Sequence, residues 1–273
     1  MSKRPLSFYL LSIFFVIFTV FLYGPTLTIA LLSLQGPEGG LTFPMNGLSL
    51  HWFEQLFKKQ AVGDFSAALV RSLFLGLVVM ISTVVISLLA GLAFRKHFAG
   101  SSIIFYLTLA SLIIPSILIS LGIGLMFDRF GFESNWFSSG FGSHLTWTLP
   151  FGLLIMFAVF NRFNPSYEMA SADLGASHWQ TFKYILLPLI APSLIGVGLF
   201  GFTLSYDEFA RTLMTAGSFN TLPLELFAMT TNVTTPVLYA LGTLTTLVSF
   251  TLIIVTLFIL KLVRQNKGRV SND

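Results

Sequence analysis

The chain has 273 residues, 55% of them hydrophobic and 10% charged, with a net charge of +4 and no cysteine. A soluble domain carries about 25% charged residues. A soluble enzyme, a nucleic-acid binder and a disordered tail are therefore excluded, and the missing cysteines remove disulfides, thiolate metal sites and thiol nucleophiles. Residues 5–37, 72–94, 100–127, 140–161, 184–206 and 233–260 contain no Asp, Glu, Lys or Arg, and a helix crosses the hydrocarbon core with ~20 residues. The expectation is an all-α integral membrane protein, a single transmembrane domain over 1–273. Its six spans are expected at about 8–34, 67–94, 102–127, 145–161, 185–209 and 237–261.

With the N-terminus placed in the cytoplasm, ten Lys and Arg fall on inside loops and five outside. That bias sets both termini in the cytoplasm. The first apolar stretch is about twice the usual 7–15-residue core of a signal peptide and is expected to stay in the mature protein.

The outer loop after span one opens with the turn-rich QGPEGG. It continues as SLHWFEQLFKK, where Trp52, Phe53, Leu56 and Phe57 recur at helical spacing. This reads as a short amphipathic helix, lying either in the membrane interface or on the outer ends of other spans. Trp52 and Trp147 suit an interfacial aromatic belt. Span three contains Pro115, where a kink is expected, with neighbours satisfying the freed carbonyl. The outer loop 128–144 is short and rich in Ser and Gly.

Between spans four and five lies NRFNPSYEMASADLGASHWQTFKY, followed by ILLPLIAPSL. Pro165 and Ser166 suit a helix start, small residues follow, and Gly175 interrupts, so the segment reads as two short helices over about 166–182. At the far end of span five stand Tyr206, Asp207 and Glu208. Two adjacent carboxylates near membrane depth suit a cationic amine on a water-filled path, and Tyr206 offers a hydroxyl or a stacking face. The alternative is a structural pair, because Arg211 is four residues after Asp207 and three after Glu208 and could neutralise either on one helix face.

Gly196, Gly198 and Gly201 allow close helix approach, for packing or along a pathway. His51, His97, His144 and His178 lie on four different loops without ligand spacing, so no metal site is expected, and His144 reads as an interface or cap residue. No Gly-Lys pair occurs, so the phosphate-binding GxxxxGK[ST] loop is absent, and no catalytic residue is assigned. The chain is not expected to be an enzyme.

The spacing from Gly175 through nine residues to Ile185-Leu186-Leu187-Pro188 resembles the coupling loop of ABC importer permeases of the type I (MetI-like) fold. HWFEQLF, SHLTWTLPF, DLGAS, GFTLSYDEF and TLPLELFAM further resemble segments of the second permease of spermidine/putrescine importers. The resemblance implies that Glu168, Met169, Ala170, Ser171, Asp173, Leu174, Gly175 and Ala176 couple to a cytoplasmic ATPase. The position that carries Glu in that family holds Met169 here, with Glu168 one place earlier, so both are candidates for the contact. It also implies a heterodimer with a second permease, an ATPase dimer beneath, and an external solute-binding protein seated on outer loops 35–65, 128–144 and 210–236. ATP and Mg would reside on the ATPase, with no cofactor in this chain and no nucleic-acid partner, in a bacterial cytoplasmic membrane. The implied cargo is a polyamine or related amine; an opine, an aminophosphonate or a γ-amino acid is the alternative. A self-contained secondary transporter would show inverted repeats with broken spans in both halves, a symmetry the sequence lacks.

Overall fold

The computed structural model describes residues 5–58, 64–96, 98–232 and 235–270. His97, Lys59 and part of the loops expected over 35–65 and 210–236 lie outside the described residues. Helices dominate: α1 (Leu6–Leu32), α2 (His51–Leu56), α3 (Phe65–Phe94), α4 (Ser101–Ile113), α5 (Ser116–Arg129), α6 (Ser139–Arg162), α7 (Ser166–Asp173), α8 (His178–Thr181), α9 (Leu187–Tyr206), α10 (Leu222–Asn232) and α11 (Val237–Val270). A π-helical turn, Phe182–Leu186, joins α8 to α9, just before Pro188, whose missing N–H interrupts the regular ladder. Among the described residues five helical segments are long and apolar enough to cross a membrane. The α4–α5 pair passes the same test only when taken together and is bent by 110° at its break, the geometry of a broken sixth span or of a re-entrant loop.

The chain divides into two compact units, Met1–Phe65 with Leu226–Thr251 and Ser66–Glu225 with Leu252–Asp273. In the first, α1 leaves nearly all its large apolar side chains exposed, from Leu6 to Leu31. That is how a helix solvated by lipid or by another chain reads. The loop after α1 folds around buried Gln35. Its amide donates to the Gly40 carbonyl at 3.1 Å and its Oε1 accepts from the Asn46 N–H at 2.8 Å. The approach is close enough that a Cβ on Gly36 would stand 2.0 Å from the Asn46 carbonyl oxygen. In helix α2 Leu56 is buried, Trp52 and Phe53 are half-buried and Phe57 just beyond it is exposed.

The second unit is built on α3, α6 and α9. Met156, Leu186, Ile190, Leu194 and Val197 form its buried core. Small residues bring the three helices together. Gly198 faces Val84 and Met80, Gly201 faces Met80 and Thr83, and Gly152 meets Ser87. Thr83 and Thr148 share a 2.8 Å hydroxyl hydrogen bond between α3 and α6. Gly198 and Gly201 are thus packing residues, whereas Gly196 faces open space.

Three features depart from the sequence reading. Helix α6 begins at Ser139 rather than 145, because the Asn135 side chain accepts the N–H groups of Phe137 and Ser138, both at 2.9 Å, and starts the turn early. The segment expected as outer loop 210–236 contains helix α10. Span five leaves helical geometry at Asp207, with φ −99° and ψ 5°, rather than continuing to 209.

Candidate functional sites: the coupling segment and the carboxylate pair

Between α6 and α9 the chain builds a rigid helix–turn–helix. Gly175 has φ +81°, the left-handed conformation that glycine adopts at little cost. The Ala176 N–H reaches the Ser171 carbonyl at 3.0 Å and the Gly175 N–H reaches Ala172 at 2.9 Å, closing α7 with a Schellman motif. Ser177 then caps α8 in a reciprocal box with Gln180. A hydroxyl hydrogen bond of 2.8 Å from Thr181 to Ser171 ties α8 to α7, and Ser171 donates onward to the Glu168 carbonyl at 2.8 Å.

Glu168 anchors this segment. Both carboxylate oxygens accept from the Arg95 guanidinium just beyond α3, one at 2.9 Å. Arg95 also lies over Phe160 and Phe163, 5.3 and 5.4 Å from the ring centres. The hydrogen bonds from Arg95 hold Glu168 below the usual carboxylate range, and Glu168 raises Arg95 above its ordinary value.

The eight residues singled out from the sequence therefore separate. Glu168 is turned to Arg95 and Ser171 is buried within the segment. Met169, Ala170, Asp173, Leu174 and Gly175 face outward and Ala176 is half-buried. Leu174 is 88% and Met169 66% exposed, so Met169 rather than Glu168 occupies the open face. A cleft of about 330 Å³ beside Gly175 is lined by Leu174, Ala176, Gln180, Tyr184 and Ile185.

At the other end of α9 the three residues also separate. Tyr206 is buried and stacked on Phe202, 5.7 Å between ring centres, so its ring is turned into the protein. Asp207 is exposed. Glu208 is half-buried and accepts the Arg211 backbone N–H at 2.9 Å. The shared helix face on which the Arg211 side chain would neutralise them does not form, because the helix has already ended.

Arg211 turns instead into the break of the α4–α5 pair. It donates from Nη2 to the Ser111 carbonyl at 2.8 Å, from Nε to Ser116 Oγ at 3.3 Å, and from Nη1 to Thr146 Oγ1. Its guanidinium lies 4.9 Å from the Trp147 ring centre, a cation over an aromatic face.

His144 is a second organiser that composition alone does not reveal. Buried on α6, it sits 2.7 Å from Ser205 Oγ and 2.8 Å from Thr212 Oγ1. Thr212 spends its own proton on the Glu208 carbonyl at 2.6 Å. Nε2 of His144 must therefore donate to Thr212, and Nδ1 accepts from Ser205. The loop 207–217 is also held by Ser139 and Ser143 of α6, which donate to the carbonyls of Thr215 and Arg211. The available signal was the polar row Ser139, Ser143, Thr146 at helical spacing on an otherwise apolar span.

These features define a polytopic membrane component with an exposed helix–turn–helix segment before α9 and a carboxylate pair after it. The chain matches the family described as "Binding-protein-dependent transport system inner membrane component" over residues 83–268 and belongs to it. It is 28% identical over 225 residues to the "Spermidine/putrescine transport system permease protein PotC homolog" of Mycoplasma genitalium, covering 80% of this chain and 79% of that protein. It is 26% identical over 250 residues to the "Spermidine/putrescine transport system permease protein PotC" of Haemophilus influenzae, covering 91% and 95%. A chain of a bacterial ABC transporter involved in import of the acidic polysaccharide alginate has the same fold, with TM-score 0.70 at 14% identity, over 94% of this chain and 95% of that one.

Proposed function

We propose that this permease is one of two membrane subunits of an ATP-driven importer. An ATPase dimer docks beneath the two permeases, with one ATPase on the coupling segment of this chain, and an external binding protein delivers a polyamine or related amine. The observation that carries the reading is the coupling segment itself: a helix, a left-handed glycine and a capped second helix that present Leu174 and Met169 to the outside. Exposed apolar side chains on a rigid frame favour a protein partner. The excess of Lys and Arg on the loops of that end supports its placement in the cytoplasm of a bacterial inner membrane, with both termini on the same side. ATP and Mg belong to the partner, since this sequence has no phosphate-binding loop.

In this reading, ATP binding by the docked ATPases moves the coupling segment. The ion pair of Glu168 with Arg95 passes that movement to α3, and α9 carries it to the carboxylate pair. Import is then alternating access between two conformations with different affinity for the solute. The amine cargo is supported by exposed Asp207 beside Glu208 and by the two relatives named for spermidine and putrescine.

The test is co-purification of the tagged chain from its native membrane, followed by reconstitution. The expected result is an ATPase, a second permease and a binding protein, with ATP-dependent uptake inhibited by spermidine or putrescine. Uptake by this chain alone without ATP would overturn the importer. Inhibition by an opine, an aminophosphonate or a γ-amino acid instead of a polyamine would overturn the cargo.

A further inference from the structure

Pro115 has no N–H, so the carbonyl four residues earlier, Ser111, has no helical partner. Ile114 before it is extended, with φ −72° and ψ 131°, and the pair α4–α5 turns by 110° there. A break of this size at membrane depth needs another group to satisfy the freed carbonyl. The group present is Arg211, about a hundred residues along the chain. Its Nη2 takes the Ser111 carbonyl, its Nε takes Ser116 Oγ on the far side of the break, and its Nη1 takes Thr146 Oγ1 of α6. Ser111 Oγ in turn donates to the Thr146 carbonyl at 2.7 Å.

The backbone of the same residue is equally engaged. Its N–H donates to Glu208 Oε1 at 2.9 Å, and its carbonyl accepts from Ser143 Oγ at 3.0 Å and from Thr215 Oγ1. All of these acceptors of the guanidinium are neutral oxygens. An apolar side chain would fill such a space without removing a charge from water. What only arginine supplies is a planar fork that holds both sides of the break and α6 at once.

We propose that Arg211 is a positioning residue of the transport pathway. Its side chain locks the Pro115 break, and its backbone N–H fixes Glu208, so the bent α4–α5 pair and the carboxylate pair are held as one piece. The inference rests on the importer reading for its functional half; its structural half stands on the clamp alone.

The natural chain has no cysteine, so Leu107→Cys on α4 and Leu125→Cys on α5, both exposed positions, give two unique spin-label sites across the break. In the purified transporter the parent should show one narrow distance distribution. Arg211→Met should broaden it and, because the loop that presents Glu208 is no longer tied to the break, raise the apparent KM of uptake. Arg211→Lys, with one donor centre, should fall between. A parent-like distribution in Arg211→Met overturns the clamp. A broadened distribution with the parent's KM overturns the positioning role.

If Arg211→Met fails to assemble, Ser116→Ala combined with Thr146→Val decides by the same distance, since it leaves the cation in place and removes two of its acceptors. Broadening supports the clamp and a parent-like distribution overturns it. Absence of ATP-dependent uptake in the parent would defeat the importer reading instead, and the distance measurement would still judge the clamp.

Discussion

Gly175 is required for its backbone rather than for space. A Cβ there would meet no atom within 4 Å, but the residue sits at φ +81°, where an L side chain costs roughly 1–2 kcal/mol. Gly175→Ala should therefore leave expression and the apolar helices intact while distorting the Schellman turn that presents Leu174. The expected outcome is a several-fold fall in ATPase stimulation by the reconstituted transporter, and Gly175→Asp should abolish it. Normal stimulation by both variants would remove this turn from the coupling contact.

Glu168 makes a different kind of contribution. Its carboxyl is held below the ordinary value by Arg95, so its stabilisation is present at neutral pH and is lost as pH falls through the lowered value. A partly exposed pair of this kind is worth on the order of 0.5 kcal/mol. Glu168→Gln should lower the thermal midpoint slightly at pH 7, and the difference from the parent should vanish in acid, below the usual carboxylate range near pH 4. A difference that persists undiminished into acid would contradict the ion pair as its cause.

At the scale of elements, the helices meet through small residues, and the glycines divide by what surrounds them. A Cβ on Gly152 of α6 would stand 2.2 Å from Ser87 Oγ and 3.1 Å from Thr83 Cγ2 on α3, whereas one on Gly196 of α9 would meet nothing. Overpacking costs typically ~1–3 kcal/mol, while removing a glycine from a helix interior gains about 0.5–1 kcal/mol. Gly152→Ala should lower the thermal midpoint of the purified transporter, and Gly196→Ala should hold or raise it. The reverse order would refute the close α3–α6 approach.

Elements with a local covalent cause were legible from sequence. Pro115 announces a break, and the spacing from Gly175 to Pro188 announces a turn followed by a helix entry. The early start of α6 was not legible because its cause is a side-chain cap by Asn135 on Phe137 and Ser138 that hydropathy does not weigh. The fold of residues 207–217 was not legible because it rests on hydrogen bonds between residues 61 to 100 positions apart, such as His144 with Ser205 and Arg211 with Ser111. A hydropathy window sees Ser139, Ser143 and His144 only as a weaker start to a span.

At the scale of the whole molecule, the distribution of cations is tied to particular helix ends. Arg95 and Lys96 follow α3, Arg162 closes α6 and Lys183 precedes α9, and the Arg95–Glu168 pair joins the first of these ends to the coupling segment. Short loops rich in Lys and Arg remain on the cytoplasmic side during insertion. Leu174 and the 207–217 loop must then lie on opposite faces of the membrane, because α9 has 20 residues and the π-helical turn and α8 precede it; at 1.5 Å per residue α9 alone covers roughly 30 Å, about the thickness of the hydrocarbon core. The absence of native cysteine makes this directly measurable. Leu174→Cys and Ser218→Cys are both at exposed positions and can be probed in spheroplasts with a membrane-impermeant maleimide. Ser218→Cys should react at once, and Leu174→Cys only after the membrane is opened. Labelling of Leu174→Cys in sealed spheroplasts would invert the orientation, move the carboxylate pair to the cytoplasmic face, and leave the coupling segment where no ATPase could reach it.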